Sequence, residues 1–197
     1  MFPQTQELLD AEELLRLAIQ ASETGRIEEA LSQLKRALRV NPKYARAIYL
    51  MGALHAQIGL YERAKQEIEE ALVLEPGIEN ARFQLGLLHI TSGDLNAAEN
   101  AWAPLDSLLD QHPLVLFKNG LLHIARDQFA QGVDLLKKGI ERNTQYASLN
   151  RDMQKILDSI PVVNEVTGVE TAAASADAKR KGKNIFLASY KKDEKEE

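Results

Sequence analysis

The sequence predicts an all-α fold in which four helix-turn-helix repeats form a solenoid that is closed by a C-terminal helix. Three observations predict this fold. The chain repeats itself every 34 residues without a gap, each repeat carries two amphipathic stripes, and glycine or proline separates the stripes. A single helical hairpin cannot bury its apolar face, whereas stacked hairpins can, so the repeats are expected to stack.

The period appears when the sequence is written in rows of 34 residues that begin at Ala11, Ala45, Glu79 and Pro113. Two columns of these rows hold small residues, namely Ala18, Gly52, Gly86 and Gly120 in one and Ala30, Ala64, Ala98 and Gly132 in the other. Glycine inside a helix costs about 1 kcal/mol relative to alanine, so its recurrence indicates a repeated packing requirement. The two columns predict where the helices of each hairpin cross closely.

Each row predicts two helices and the turns that end them. In the second row the first apolar stripe comprises Ile48, Met51, Gly52 and His55, and the second comprises Ala64, Ile68 and Ala71. Gly59 separates the two stripes, and Pro76 marks the turn into the next row. The column of this turn glycine reads Gly25, Gly59, Gly93 and, in the last row, Asp127.

The third row departs from this pattern because Pro104 lies inside its predicted second helix. Proline lacks the backbone donor and crowds the carbonyl four residues earlier, so we expect a kink or a break near Asn100. After the fourth row, one more helix is predicted, and Pro161 ends it. Its apolar face carries Leu149, Met153, Ile156, Leu157 and Ile160. This helix is expected to cap the open end of the array.

The rows resemble the tetratricopeptide repeat, whose pattern is W-x2-L-G-x2-Y, then A-x3-F, then P. At those positions the second row has Ile48, Met51, Gly52, His55, Ala64, Ile68 and Pro76. The resemblance implies a right-handed superhelical solenoid over residues 11–160. Its parts are the repeats 11–44, 45–78, 79–112 and 113–146 and a capping helix at 147–160, between a lead-in at 1–10 and a flexible tail at 161–197.

The resemblance also implies a partner-binding groove on the concave face, lined by the first helix of each repeat. The groove positions form an apolar ladder with two cations beside it: Leu15, Ile19, Arg46, Tyr49, Ala53, Phe83, Leu87, Ile90, Phe117, Lys118, Leu121 and Ile124. Two interpretations remain open. The apolar residues are core that neighbouring repeats or the capping helix cover, or they form a trough for an apolar partner segment, with Tyr49, Phe83 and Phe117 as anchors.

Three of the four histidines, His55, His89 and His123, occupy the column where the family has tyrosine. We expect each ring to pack between the helices of its own repeat with a nitrogen hydrogen-bonded nearby. A shared metal site is disfavoured, because successive repeats lie roughly 8–10 Å apart while zinc holds nitrogen ligands at about 2 Å. No nucleotide-binding or hydrolase motif is present either, so neither a metal nor another cofactor is predicted.

The composition excludes several other classes of protein. The chain of 197 residues has no cysteine, which excludes disulfides and thiolate sites and suits a reducing cytoplasm. Its net charge of −5 does not indicate nucleic-acid binding. We expect no membrane span, because no apolar run is long enough, and no signal peptide, because the N-terminus lacks a basic and an apolar region.

The tail contains an apolar segment at 184–190 that follows a basic cluster at 179–183. Its large apolar residues are Ile185, Phe186, Leu187 and Tyr190. We expect this segment to dock in the chain's own groove, in the groove of another copy, or on a partner. Docking in the chain's own groove would make the tail a competitor for ligand. Docking in the groove of another copy would produce a homo-oligomer.

These features predict a non-enzymatic, cytoplasmic protein-binding scaffold. It would act as an adaptor, chaperone or assembly factor that holds a protein or peptide partner in its concave groove. Two alternatives remain open. An enzyme would have a site at a repeat junction near His89 and His123, and a structural subunit of a larger complex would have its groove filled by a constant neighbour.

Overall fold

Helical hairpins make up the part of the chain that the computed structural model describes, residues 9–145 and 147–160. This part contains nine α-helices, one short 3-10 helix and no β-strand. The α-helices are α1 Ala11–Glu23, α2 Ile27–Val40, α3 Ala45–Gln57, α4 Tyr61–Leu74, α5 Glu79–Ser92, α6 Leu95–Trp102, α7 Pro113–Ala125, α8 Phe129–Arg142 and α9 Ala147–Ser159. The 3-10 helix is Ala103–Ser107. These elements confirm the predicted all-α fold.

The turn inside each hairpin uses a left-handed backbone at the predicted column. Gly25, Gly59 and Gly93 have φ angles of 73°, 82° and 81°, and Asp127 has a φ of 61°. Glycine adopts this conformation at no steric cost, whereas an L-residue with a side chain is strained there. The glycine column therefore marks the tight turn between the first and second helix of a repeat.

The described helices belong to two compact units, of which the first ends at Ala81 and the second begins at Arg82. In the first unit α1 packs against α2, α2 against α3, and α3 against α4. A core cluster of small and aliphatic residues joins the first three of these helices: Leu14, Leu15, Ala18, Ala21, Ala30, Leu34, Ala37, Ala47, Met51 and Leu54. This cluster thus consists mainly of leucine and alanine.

The second unit has a larger, aromatic core. Its cluster comprises Phe83, Leu87, Ile90, Ala98, Trp102, Leu105, Leu114, Phe117, Leu121, Ile124, Leu136, Leu149, Met153 and Ile156. The ring of Phe83 stacks on the indole of Trp102, with centroids 5.7 Å apart, and lies 6.0 Å from the ring of Phe117. Trp102 Nε1 donates a 2.9 Å hydrogen bond to the carbonyl oxygen of Phe83, which satisfies the buried indole.

The two small-residue columns lie at the close helix crossings, as predicted. A Cβ atom at Gly52 would lie 2.8 Å from Ile68 Cγ1 and 3.1 Å from the carbonyl oxygen of Ala64. In the last hairpin a Cβ at Gly120 would lie 3.0 Å from the carbonyl oxygen of Gly132. Since both positions of this crossing are glycine, the backbones of α7 and α8 approach closely, and the side chains of Leu136 and Ile124 pack over the two glycines.

Pro104 breaks the second helix of the third repeat, as expected, but two residues later than predicted. Helix α6 continues past Asn100 to Trp102, and the 3-10 helix that follows carries Pro104 in its first turn. The proline has no N–H to donate to the carbonyl of Asn100, so the α-helical pattern stops. The tighter 3-10 turn directs Leu105 into the core, where it is buried.

Several predictions concern residues outside the described part of the chain. Residues 1–8, Tyr146 and 161–197 lie there, so the tail segment with Ile185, Phe186, Leu187 and Tyr190 remains a prediction from sequence. Across the described helices, none combines the length and the apolarity that crossing a bilayer requires.

Candidate partner-binding surface

Half of the predicted groove residues lie in the core of the second unit. These six are Phe83, Leu87, Ile90, Phe117, Leu121 and Ile124, and all are buried. The same cluster includes Leu149, Met153 and Ile156 from α9. The six side chains therefore correspond to the interpretation in which neighbouring repeats and the capping helix cover the ladder. They present no exposed apolar surface, so the predicted trough does not extend over them.

The first unit leaves part of the ladder accessible. Leu15 is buried in the core of this unit, but Ile19, one turn further along α1, is exposed. On α3, Tyr49 and Ala53 are half-buried. The column of Ile19 shows the contrast between repeats, because Leu87 and Leu121 at the equivalent positions are fully buried. The accessible ladder positions are thus Ile19, Tyr49 and Ala53.

The two predicted groove cations have different surroundings. Arg46 is exposed and its Nη2 lies 3.6 Å from Glu75 Oε1 at the end of α4. Lys118 is buried, and its amine pairs with the carboxylate of Asp106, which belongs to the 3-10 helix. A buried ammonium requires such a partner, so Lys118 ties α7 to the 3-10 helix rather than facing solvent.

Two histidines of the tyrosine column, His55 and His123, make local hydrogen bonds within their hairpins. His55 is buried, and its Nδ1 lies 2.5 Å from Glu67 Oε2 on α4. Because an ionised carboxylate only accepts hydrogen bonds, the His55 ring donates from Nδ1. His123 Nδ1 donates to Gln128 Oε1 at 2.5 Å, just before α8. Both contacts join the first helix of a repeat to its second helix or the turn before it, which is the packing role expected for this column.

In the part of the chain that the structure describes, no group of three or more histidine, aspartate or glutamate side chains is arranged to hold a metal ion. Glu67, the partner of His55, also accepts a 2.9 Å bond from Arg63 Nε. The carboxylate of Glu67 therefore binds both His55 and Arg63.

Sequence reasoning missed two opposite charge patterns on the second helices of the first unit. Lys35 and Arg36 on α2 occupy the same two columns as Glu69 and Glu70 on α4, and all four side chains are exposed. The signal was present in the rows of 34. It is visible only when the solvent-facing columns are compared, whereas the repeat pattern is defined by the columns that pack.

Comparison with family models identifies the repeats. A model described as TPR repeat matches residues 23–59, and one described as tetratricopeptide repeat matches residues 45–77. No curated protein sequence matches the chain significantly.

Solved structures share the fold at low sequence identity. MamA from Desulfovibrio magneticus RS-1 is 18% identical with a TM-score of 0.54, over 91% of this chain and 92% of that one. YrrB, described as a TPR protein with an unusual peptide-binding site, is 16% identical with a TM-score of 0.54, over 91% and 84%. The APC/C hetero-tetramer Cut9–Hcn1 gives a TM-score of 0.63 at 16% identity, over 91% of this chain and 34% of that one.

The helical hairpins, the 34-residue period and the matching folds define the class of this protein as an all-α helical-repeat protein. Residues 23–77 of this chain consist of tetratricopeptide repeats. Proteins of this class serve as modules for protein–protein interaction.

Proposed function

We propose that this protein is a non-enzymatic adaptor, chaperone or assembly factor that binds an apolar segment of a partner protein along the first helices of its first unit. The proposal replaces a trough along all four repeats with one centred on Ile19, Tyr49 and Ala53. A cytoplasmic location is part of the proposal, since a chain without cysteine suits a reducing compartment.

The observation that carries the proposal is the exposure of Ile19. Burying an isoleucine side chain stabilises a fold or a complex by about 1.5–3 kcal/mol, so an exposed one on an otherwise apolar column is available for a partner. The equivalent residues Leu87 and Leu121 are fully buried in the core of the second unit. Half-buried Tyr49 offers an aromatic ring on the neighbouring first helix of the same unit, a residue type enriched where partners bind.

A partner segment that suits this surface is an amphipathic helix or an extended strand with one apolar face. Its apolar side chains would cover Ile19 and Ala53, and an acidic residue beside them would meet Arg46, which is exposed. Shielding such a segment would keep an aggregation-prone partner soluble, which is the chaperone form of the proposal. The description of YrrB as a TPR protein with a peptide-binding site supports peptide binding as the function class.

Peptide selection on the purified chain tests this proposal. Peptides from a random displayed library would be selected on the wild-type chain, and their affinities measured by fluorescence anisotropy against Ile19→Glu. We expect apolar peptides, and a loss of affinity of about tenfold or more in the variant, because a carboxylate would be desolvated in the contact.

Leu17→Glu is the matched control for this experiment. Leu17 lies on the same helix and is 38% exposed, against 40% for Ile19. Two positions along a helix do not share a face, so Leu17→Glu is expected to leave the affinity within about twofold. An equal loss in both variants, or the recovery of no apolar peptide, would show that this face is not the binding site.

Docking of the tail segment at 184–190 remains a second part of the proposal. If the tail competes for the groove, deleting residues 179–197 removes the competitor, and the selected peptides should then bind more tightly. Docking in another copy would instead appear as a change of oligomeric state after the same deletion. If neither the affinity nor the oligomeric state changes, the tail does not dock in the groove.

A further inference from the structure

The outer surface of α2 carries a cluster of cations with no acidic neighbour in sequence. Between Ala30 and Tyr61 the chain has no aspartate or glutamate. Within this stretch we define the basic face as Lys35, Arg36, Arg39, Val40 and Lys43, all exposed. Lys35, Arg39 and Lys43 make no ion pair with any residue that the structure describes. Lys35 and Arg39 are also four residues apart on one helix, where like charges repel.

The outer surface of α4 carries the opposite charge at equivalent positions. We define the acidic face as Glu69, Glu70, Val73 and Leu74, which are exposed. Other carboxylates of the α4 region are neutralised locally, such as Glu62 by Lys65 at 2.7 Å. Glu69 and Glu70, in contrast, form no ion pair within the described residues.

Each face also has an exposed aliphatic side chain among its charges. Val40 on the basic face is 58% exposed, and Val73 on the acidic face is 81% exposed. Val73 follows Glu69 and Glu70 by four and three residues, so the three side chains share one side of α4. Arg36 precedes Val40 by four residues in the same way. An apolar centre with charges around it is the usual anatomy of a protein contact.

We propose that copies of this chain associate head to tail through the first unit, the basic face of one copy binding the acidic face of another. The two faces belong to helices of the same length and the same place in consecutive repeats, so their charged pairs have the same spacing. Lys35 and Arg36 would meet Glu69 and Glu70, with Val40 and Val73 buried between them. This inference does not depend on the proposed peptide-binding surface.

The geometry of the contact determines how the association behaves. A contact between two different faces leaves an unused acidic face on one copy and an unused basic face on the other, so association continues into chains or closes into rings. The proposed contact consists mainly of exposed charged side chains, so we expect a micromolar or weaker Kd. Because the interacting charges are exposed, salt should weaken the association strongly.

Sedimentation velocity of the full chain with paired charge reversals tests the proposal. Lys35→Glu/Arg36→Glu removes the net positive charge of the basic face, because Arg39 and Lys43 remain beside the two new carboxylates. Glu69→Lys/Glu70→Lys makes both faces basic. The wild type should show concentration-dependent association at about 20 mM salt that disappears at about 500 mM. Each reversed variant alone should be monomeric, and an equimolar mixture of the two should associate again, since it restores contacts between opposite faces.

A matched control is available in the second unit. Lys137 and Lys138 on α8 occupy the same columns as Lys35 and Arg36, but Lys138 pairs with Asp134 at 2.7 Å. Lys137→Glu/Lys138→Glu changes the net charge equally and should associate like the wild type. Circular dichroism melts should be alike for all these variants, because every substituted side chain is exposed.

Three results would overturn the proposal. One is a wild type that stays monomeric at low salt. If such a monomer cosediments with anionic vesicles through Lys35 and Arg36, the basic face binds a membrane surface and not another copy. Another is an equimolar mixture of the two reversed variants that remains monomeric. The third is loss of association when residues 161–197 are deleted, which would mean that the tail of another copy, and not its acidic face, occupies the basic face.

Discussion

At the scale of single residues, Gly86 shows how one missing side chain positions a core. A Cβ atom at this position would overlap the indole of Trp102, whose ring is held by stacking on Phe83 and by a hydrogen bond to the Phe83 carbonyl. The indole cannot move without giving up both contacts. Gly86 is therefore the residue that allows a tryptophan in a column where the other repeats have leucine or isoleucine.

Gly86→Ala should destabilise the protein by about 2–3 kcal/mol, because overpacking would force the indole out of place. Gly77→Ala is the control, since a Cβ atom at Gly77 would have no heavy atom within 4 Å. We expect a change within about 0.5 kcal/mol there, because the new methyl group displaces nothing. Urea denaturation measures both changes, and equal costs would contradict the role assigned to Trp102.

Asp127 is a residue whose strain can be relieved. Its φ of 61° matches the conformation of the three glycines in its column, and its side chain makes no hydrogen bond or ion pair with a described residue. Asp127→Gly should therefore stabilise the protein by about 0.5–1 kcal/mol, after allowing for the greater freedom of glycine in the unfolded chain. Thermal denaturation should show a higher Tm.

Gly93→Asp provides the reciprocal control for this turn. It places the same side chain at a φ of 81°, so it should destabilise the protein by about 1 kcal/mol. If Asp127→Gly lowers the Tm, the aspartate has a stabilising role that its local conformation does not reveal.

The residue scale was the most predictable from sequence. The columns of 34 identified the turn glycines and the small residues at helix crossings, because both requirements are local and recur in every repeat. Burial of Lys118 was not predictable, since its partner Asp106 lies in the 3-10 helix that Pro104 introduces. Sequence spacing alone did not indicate that this irregular segment turns back to α7.

At the scale of helices, α9 decides whether the ladder of the second unit is a core or a binding surface. Its apolar side chains Leu149, Met153 and Ile156 share one cluster with Phe117 and Leu121. The sequence predicted both the capping helix and the ladder, yet left their relation open. Leucine and phenylalanine fit a core and a trough equally well, so only the packed structure separates the two interpretations.

Met153→Ala should destabilise the second unit by about 2–4 kcal/mol, because it removes a fully buried side chain and leaves a cavity. Gln154→Ala is the matched control, since Gln154 is the next residue of α9 and is exposed. Its effect should stay within about 0.5 kcal/mol. Binding of a fluorescent apolar dye should rise only in Met153→Ala. A similar loss in both variants would mean that α9 contributes through its helical backbone rather than through this packing.

At the scale of the whole molecule, the division at Ala81 and Arg82 is the feature that the sequence did not predict. The 34-residue period continues unchanged across this point, so it indicates one array over residues 11–160. The cores differ in kind, because alanines and leucines dominate the first cluster, while Trp102 and two phenylalanines dominate the second. A repeat pattern shows which positions are apolar. It does not show how tightly neighbouring hairpins pack, and this packing divides the chain into units.

Separate cores predict separate opening of the two units in hydrogen exchange. Leu34 is fully buried in a cluster confined to residues 14–54, and Met153 is fully buried in a cluster confined to residues 83–156. Leu34→Ala should therefore speed amide exchange in α1 to α3 and leave α7 to α9 unchanged, and Met153→Ala should do the reverse. Each substitution should lower the local opening free energy by about 2–4 kcal/mol, since cavity costs act on the unit that contains the cavity.

Exchange measured by mass spectrometry on the full chain resolves these segments, with Gln154→Ala as a variant that should change neither. The stability of a repeat protein is approximately the sum of the stabilities of its repeats and of the interfaces between neighbours. An increase in amide exchange beyond Ala81, in the unit that was not substituted, therefore measures the coupling between the two units. If either core substitution accelerates exchange equally from α1 to α9, the chain opens as one cooperative body, and the two clusters do not act as independent units.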